Sequence, residues 1–195
     1  MERLQEREYK YEILDGKVYY YAPSGTPNHN KTIGNLYRLI GNYLVGKTCE
    51  VYGDEMDLYL EEGINYLQPD VKVVCNPDVL KKIREGSKAI YGVPDFVAEV
   101  LSKSSLKKDK KLKKDIYERY GVKEYWIIDY NFHSVEVYHL ENGKYDSPQI
   151  YVMFSEEEIN DLTEEDKKYV TEQEIKISVF DDLTVSLTDI FDKVW

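Results

Sequence analysis

The sequence predicts an α/β fold, in which a central mixed β-sheet is flanked by helices and preceded by an N-terminal hairpin. Segments with helical apolar spacing alternate irregularly with short segments rich in β-branched and aromatic residues, without strict strand–helix–strand repetition. A chain of 195 residues can bury a core without metal or disulfide support. With 42% hydrophobic and 32% charged residues, its composition is that of a folded protein.

The elements follow one another in the order hairpin, helix, strands, helix, strands. Residues 9–22 predict the hairpin, because Asp15-Gly16 interrupts alternating apolar residues. Helical spacing follows over residues 28–45, with Thr26 or Asn28 as the candidate cap. The remaining predicted elements are strands over 48–60, 66–75, 95–101, 125–129 and 135–139, a short basic helix near 78–85, and a long helix from Ser104 to Tyr120 that stops at Gly121.

Charge is distributed unevenly along the chain. Residues 152–195 hold thirteen acidic residues and four lysines, whereas residues 103–114 hold seven lysines and one aspartate. We therefore expect a core at residues 1–151 and an acidic C-terminal extension at residues 152–195 that packs on it. The net charge of −11 would argue against a nucleic-acid partner if it were evenly spread. The lysine-rich segment is either a phosphate-contacting surface or a solvated helix face.

Cysteine usage and the N-terminus bear on location. Cys49 and Cys75 have no metal-ligand spacing, and we expect two reduced, mostly buried thiols. No apolar run approaches the roughly 18 residues of a membrane span, and residues 1–6 carry no signal-peptide core. We therefore expect a cytoplasmic protein without a membrane partner.

Two carboxylates lie in or beside apolar strands. Glu99 is in the middle of the strand 95–101, which is apolar on both faces. Because an unpaired buried charge is costly, Glu99 requires a bound cation, a salt bridge or a strand end that reaches solvent. Asp70 follows Pro69 at the start of a strand, where it is either a turn cap or a ligand, and Lys72 shares its face.

The long helix carries a charged pair inside its apolar face. With residues placed 100° apart, the apolar arc contains Leu106, Leu112, Ile116, Tyr117 and Tyr120. Asp109 and Lys113 are the charged residues inside this arc, and their spacing of four allows them to pair. Together with Glu99 they form either a catalytic constellation or a structural ion network.

These residues make up a chemical combination suited to phosphate esters. Asp70 and Glu99, on adjacent strands, could hold Mg²⁺ or Mn²⁺ through oxygen. Such an ion polarises a phosphoryl oxygen and lowers the pKa of a bound water. Lys113 would orient or deprotonate that water, or neutralise charge in the transition state. The sequence therefore predicts a metal-dependent phosphodiesterase.

The chain resembles the Uma-two family of restriction-endonuclease-like proteins, within the PD-(D/E)XK nuclease superfamily. The matching pieces are Tyr11-Glu12-Ile13-Leu14-Asp15-Gly16, Pro27-Asn28-His29, Pro69-Asp70-Val71, Pro94 to Ser102, Asp109-x-x-x-Lys113-x-x-x-Tyr117 and Gly121 to Asp129. Each piece is weak alone, but their order and spacing are specific. The resemblance covers about residues 9–145, with a looser match at 175–191.

The resemblance implies a restriction-endonuclease-like nuclease core at residues 1–151 and metal-dependent cleavage of DNA. It implies a catalytic set of Asp70, Glu99 and Lys113, and we expect the Val100 carbonyl to join the two carboxylates as a metal ligand. In the superfamily the lysine sits two residues after the strand glutamate, where this chain has Leu101. Lys113 matches the position of a lysine displaced onto the following helix, and Lys72 is the competing candidate.

Four further residues are candidates for supporting roles. Glu12 either adds a third carboxylate or is an exposed hairpin residue, and His29 either touches substrate phosphate or simply begins a helix. Asp109 or Tyr117 would position Lys113. A homodimer is expected by analogy with nucleases that cut both strands. The alternative function is a catalytically inactive nucleic-acid-binding or protein-interaction module on the same fold.

Overall fold

The structure is a computed structural model that describes residues 10–21, 25–170 and 172–195. Its strands are β1 (Lys10–Leu14), β2 (Lys17–Tyr21), β3 (Glu50–Gly53), β4 (Asp57–Glu61), β5 (Asn65–Leu67), β6 (Val71–Val74), β7 (Ala89–Tyr91), β8 (Phe96–Val100), β9 (Glu124–Asp129), β10 (Ser134–Glu141), β11 (Lys144–Tyr145), β12 (Gln149–Val152), β13 (Glu174–Lys176) and β14 (Thr184–Ser186). Its helices are α1 (Pro27–Leu44), α2 (Pro77–Arg84), α3 (Lys114–Tyr120), α4 (Glu156–Asp161) and α5 (Leu187–Ile190). A π-helical segment, Lys108–Lys113, runs directly into α3, and a 3₁₀ turn spans Asp166–Tyr169. Among these described helices, none is long and apolar enough to cross a membrane.

A seven-stranded mixed sheet forms the centre of the fold, as the sequence predicts. Its order is β11-β10-β9-β8-β6-β3, with β12 beside β10; β8 and β9 run parallel, and β6 pairs with both its neighbours antiparallel. Helix α1 and the C-terminal segment cover one face of this sheet. Helix α3 and a five-stranded sheet, with the order β2-β1-β5-β4-β7, cover the other. Because both faces are buried, β8 carries apolar residues on both sides.

The N-terminal hairpin forms from β1 and β2 and belongs to the five-stranded sheet. Its turn residues, Asp15 and Gly16, have φ of 50° and 74°, the conformation that matches the twist of a two-residue hairpin. Helix α1 begins after Thr26, whose side chain accepts a hydrogen bond from the His29 N–H. Both ends of the predicted hairpin, residues 9 and 22, lie outside the described residues, as do residues 1–6.

Two of the predicted strands are each broken in two. The predicted strand 48–60 is β3 and β4, and the predicted strand 66–75 is β5 and β6; within each pair the two halves lie in different sheets. Strand β7 lies between the predicted helix near 78–85 and the predicted strand 95–101, where the sequence predicts no strand. The π-helical segment also changes the side-chain spacing of the long helix, and Leu106, expected in its apolar arc, is 45% exposed. The spacing of apolar residues predicts neither the turns that divide these strands nor the π-helical segment, whose turns are wider than those of an α-helix.

The C-terminal segment contributes to the core beneath α1. Ile175, Ile177, Leu187 and Ile190 are fully buried there. The buried Glu124 carboxylate of β9 holds this segment by accepting hydrogen bonds from the Ser178 N–H at 2.6 Å and the Ser178 hydroxyl at 2.5 Å. The same carboxylate also accepts a hydrogen bond from the indole N–H of Trp126, on its own strand, at 2.6 Å. The first part of the C-terminal segment contains α4 and the 3₁₀ turn. The division at residues 151 and 152 stays a prediction.

The two cysteines form a disulfide, so the expectation of two reduced thiols is wrong. Cys49 and Cys75 directly flank β3 and β6, and the register that pairs Glu50 with Val74 brings their Cα atoms to 4.2 Å. The two cysteines are 26 residues apart in the chain. Cysteine spacing carries no information about this pairing, because it depends on which strands become neighbours.

Candidate active site

Two carboxylates lie side by side where β6 begins and β8 ends. The antiparallel register pairs Val71 with Ala98, so the next cross-strand position places Asp70 opposite Glu99 on the same face. Residues directly opposite in such a pair have Cβ atoms roughly 4.5–5.5 Å apart. The Val100 N–H donates to Asp70 Oδ2 at 2.7 Å, which fixes that carboxylate against the strand.

The Lys113 ammonium group lies among three carboxylates. Its Nζ is 2.8 Å from Glu12 Oε1, 3.0 Å from Glu99 Oε1 and 3.4 Å from Asp109 Oδ1, and all four residues are buried. The Tyr117 hydroxyl donates to Glu99 Oε1 at 2.8 Å. These contacts hold the side chains in defined positions, because each charge left unpaired inside the protein would be costly.

The π-helical segment delivers Lys113 to this cluster. It ends at Lys113, and Tyr117 follows four residues later on the same side of α3. The Tyr125 hydroxyl of β9 donates to the Asp109 carbonyl at 3.1 Å, which ties the segment to the seven-stranded sheet. Single π-helical turns within helices often occur at functional sites. Sequence reasoning missed the contact of Tyr125, since it depends on packing between distant elements.

Glu12 is a buried residue of the site and not an exposed hairpin residue. It is 2% exposed, and its Oε1 accepts a hydrogen bond from the Gln68 N–H at 3.1 Å. Its Oε2 lies 3.8 Å from Lys108 Nζ. The five-stranded sheet thereby supplies a third carboxylate. Lys108 belongs to the lysine-rich segment noted in the sequence, whereas nothing in the sequence around Gln68 marks its contact with Glu12.

His29 lies against the two strand ends. Its Nε2 is 2.9 Å from the Val100 carbonyl, to which it donates, and 3.8 Å from Asp70 Oδ2. Its Nδ1 is buried without a hydrogen-bond partner among the described residues. The first turn of α1 therefore brings an imidazole to both the carboxylate and the carbonyl that the sequence predicts as metal ligands.

Burial raises the pKa values of the two strand carboxyl groups. It raises the pKa of Asp70 to about 6 and that of Glu99 well above its usual range. Burial alone would lower the pKa of Lys113, but the three surrounding carboxylates hold it well above its ordinary value. Lys113 is therefore a cation at neutral pH, whereas burial favours the protonated forms of the Asp70 and Glu99 carboxyl groups in the metal-free protein.

The two candidate lysines, Lys72 and Lys113, have different surroundings. Lys72 is fully buried, and its Nζ donates to the backbone carbonyls of Gly53 at 2.7 Å and Pro69 at 3.0 Å. Burial lowers its pKa to about 8. Lys113 lines the cleft that leads to Asp70 and Glu99, whereas the ammonium group of Lys72 is bound to the backbone beneath them.

The carboxylates are reached through a cleft of about 180 Å³. Its lining includes His29, Asp70, Glu99, Lys113, Lys108 and Lys10. Three lysines near the lining residue Lys108 in the sequence, namely Lys103, Lys107 and Lys111, are exposed and form no ion pair within the described part of the chain. Lys110 pairs with Glu136 at 2.6 Å. The structure thus brings together every residue that the sequence singled out for this site, and a basic segment adjoins it.

Comparisons with known proteins show a family and a fold. The model of the family described as "Uma2: Putative restriction endonuclease" matches residues 1–166. Two proteins of Synechocystis sp. are similar to this chain. Uncharacterized protein sll1609 is 30% identical over 139 residues, which cover 71% of this chain and 76% of that protein. Uncharacterized protein slr1290 is 29% identical over 136 residues, which cover 69% of this chain and 68% of that protein. A crystal structure from Anabaena variabilis, titled a putative nuclease belonging to DUF820, has a TM-score of 0.64 at 15% identity, covering 95% of this chain and 91% of that one. The likeness confirms the fold class that the sequence predicts.

Proposed function

This chain belongs to the Uma2 family, and from that membership and the geometry of the cleft we propose that it is a metal-dependent endonuclease that hydrolyses phosphodiester bonds in DNA. The observation that carries the proposal is the pair of the partly buried Asp70 and the buried Glu99 in an open cleft, with the cationic Lys113 3.0 Å from Glu99. A buried carboxylate pair with incomplete charge compensation is a costly arrangement, and cation binding is the chemistry that such a pair serves.

The charges of the site fit a hard divalent cation, Mg²⁺ or Mn²⁺. Four buried or nearly buried carboxylates meet here: Glu12, Asp70, Glu99 and Asp109. Among the described residues, Lys113 and Lys108 supply the ammonium groups within 4 Å of them, so the carboxyl groups outnumber these ammonium groups by two. The buried Asp109 Oδ1 atom lies 3.4 Å from Lys113 Nζ but accepts no hydrogen bond within the described residues. A divalent cation would supply the missing positive charge.

Asp70, Glu99 and the Val100 carbonyl are the groups that would hold the cation. Within the described residues, no cluster of three or more His, Cys, Asp or Glu side chains is arranged as a metal site. Two carboxylates and one carbonyl suit Mg²⁺, which usually takes few protein ligands and completes its coordination with water and substrate phosphate. When bound, the ion polarises a phosphoryl oxygen and lowers the pKa of an attacking water.

The remaining residues act on charge and position. The protonated Lys113 neutralises negative charge that develops on the phosphoryl oxygens, since its raised pKa opposes a role as a base. Tyr117 and Asp109 fix Glu99 and Lys113 through the contacts described above. The Nε2–H of His29 could contact a substrate phosphate only after it leaves the Val100 carbonyl, to which it donates in this structure. Exposed lysines of the adjoining basic segment contact the DNA backbone and give binding that weakens with salt.

Matched carboxamide variants test the proposal. Glu99→Gln and Asp70→Asn keep the side-chain size but remove the negative charge that binds the cation, so Mg²⁺- or Mn²⁺-dependent nicking of plasmid DNA is expected to fall to background. Glu118→Gln, on α3 next to Tyr117, alters a carboxylate paired with Lys144 and should retain activity. Circular dichroism checks the fold of each variant. Metal-dependent cleavage retained by Glu99→Gln or Asp70→Asn would contradict the site assignment.

One observation favours the non-catalytic alternative, namely that the three carboxylates around Lys113 already form an internal ion network. Calorimetric titration with Mn²⁺ separates the two functions. If the site is that of a nuclease, wild type binds Mn²⁺ and Glu99→Gln does not. If the ion network is purely structural, as in a nucleic-acid-binding or protein-interaction module, wild type binds no Mn²⁺. The homodimer expected by analogy is checked by light scattering coupled to size-exclusion chromatography.

A further inference from the structure

A second groove opens beside the active-site cleft, between α1 and the turn that joins β3 to β4. Its volume is about 520 Å³, within the roughly 300–1,000 Å³ typical of small-molecule sites. Asn30 and Asp54 line both cavities, so the groove continues directly from the cleft that holds Asp70 and Glu99. A substrate bound in the cleft therefore lies next to this groove.

The walls of the groove suit a flat, uncharged ring. Ile33, Tyr37 and Met56 provide apolar surface, and the Tyr37 ring, 42% exposed, packs against Gly53. At Gly34 a Cβ atom would meet nothing within 4 Å, so the helix leaves open space at that position. No lysine or arginine lines the groove in the described part of the chain, whereas Asp54 and Glu55 do. This surface repels phosphate and favours the base of a nucleotide.

We propose that this groove binds the unpaired nucleobase next to the scissile phosphate, stacked against Tyr37. The inference rests on the proposed function, because a phosphodiester in the cleft carries a nucleoside on each side and one of them extends towards Asn30 and Asp54. A base inside a duplex has both faces covered by its neighbours, so only a base that has left the duplex stack can stack against Tyr37. The preferred substrate class is therefore DNA with an unpaired nucleotide at the cut, such as a single strand, a loop or a frayed end.

Filling the groove tests the proposal. Gly34→Phe places a ring in the open space at Gly34, and Asn42→Phe adds the same ring at an exposed position of α1 outside the groove. Fluorescence anisotropy measures binding of labelled single-stranded and duplex DNA in EDTA, where metal-dependent cleavage is prevented. We expect wild type and Asn42→Phe to bind the single strand roughly tenfold more tightly than the duplex, and Gly34→Phe to lose this preference.

Tyr37→Ala is a second test of the groove in case Gly34→Phe fails to fold, because it removes side-chain volume instead of adding it. It removes the stacking ring and should also weaken single-strand binding, with a thermal melt as the check on folding. The proposal is overturned if folded Gly34→Phe and Tyr37→Ala bind single strands as wild type does, or if wild type binds duplex at least as tightly as single strand.

Parallel cleavage assays separate this inference from the proposed function. If Gly34→Phe and Tyr37→Ala weaken single-strand binding but wild type shows no metal-dependent cleavage, the groove assignment is supported and the catalytic role is contradicted. If wild type cleaves DNA but Gly34→Phe keeps the wild-type preference for single strands, the nuclease function is supported and the groove assignment is contradicted. If wild type binds neither form of DNA, the groove assignment is wrong together with the nucleic-acid function.

Discussion

The Lys113 Nζ atom lies 3.0 Å from Glu99 Oε1, and this contact joins a helix to a strand residue fourteen positions earlier in the chain. Glu12, from the five-stranded sheet, approaches the same ammonium group at 2.8 Å. Three separate elements therefore meet at one buried cation. The charge balance of the site depends on this lysine, so its removal should affect folding as well as chemistry.

Replacing Lys113 by Met removes the cation shared by three buried carboxylates. We expect the free energy of unfolding to fall by about 3–5 kcal/mol, because the carboxylates lose their buried partner, and DNA cleavage to be lost. Lys110→Met is the control: its exposed pair with Glu136 should contribute less than about 1 kcal/mol. Urea denaturation measures both variants, and equal destabilisation would contradict the account of the cluster.

Asp70 should make the metal-free protein less stable as pH rises. Burial raises its pKa from 3.8 to about 6, so between these values the folded protein keeps a proton that the unfolded chain releases. The unfolding free energy should therefore decrease by up to about 3 kcal/mol between pH 4 and pH 7 from this residue. Chemical denaturation in EDTA at several pH values should show the decrease in wild type relative to Asp70→Asn. Parallel pH profiles for the two proteins would contradict it.

Removal of residues 152–195 should unfold the rest of the chain. Ile175, Ile177, Leu187 and Ile190 are fully buried, so the deletion exposes the core beneath α1. Circular dichroism on heating should show no cooperative transition in the truncated protein. A triple Gln substitution of the exposed acids Glu156, Glu157 and Glu158 should melt close to wild type, which separates packing from charge. A truncated protein that melts cooperatively would show that the extension is dispensable for folding.

The disulfide between Cys49 and Cys75 should stabilise the oxidised protein. It closes a loop of 26 residues, and the chain-entropy relation gives about 3.5 kcal/mol for a loop of that length. Urea denaturation with and without dithiothreitol measures the difference. The Cys49→Ser, Cys75→Ser double variant is the control and should not respond to the reductant. An equal response of both proteins would mean that the reductant acts elsewhere.

The parts of the site that could be predicted from sequence are those with local signals. Asp109 and Lys113 are buried as the helical wheel indicates, because spacing along one helix fixes their side. Glu99 is buried as strand alternation indicates. Asp15-Gly16 forms the expected hairpin turn, since few sequences allow two consecutive residues with positive φ. Each of these inferences needs only neighbouring residues.

The parts that could not be predicted depend on which distant elements become neighbours. The burial of Glu12 requires the five-stranded sheet to pack over α3, and the contact with Gln68 requires β1 to pair with β5. The disulfide requires β3 to pair with β6. The π-helical segment leaves no clear sign in a sequence rich in lysine. No single segment of the chain carries information about these long-range pairings.

Anomalous diffraction from a Mn²⁺-soaked crystal tests the central claim most directly. We expect one strong peak between the carboxylates of Asp70 and Glu99, roughly 2.0–2.2 Å from their oxygens and from the Val100 carbonyl, with the Lys113 ammonium group beside it. A Glu99→Gln crystal soaked in the same way should lack the peak. If saturating Mn²⁺ leaves this position empty in wild type, with Lys113 still joined to Glu99, the proposal of a metal-dependent nuclease site is wrong.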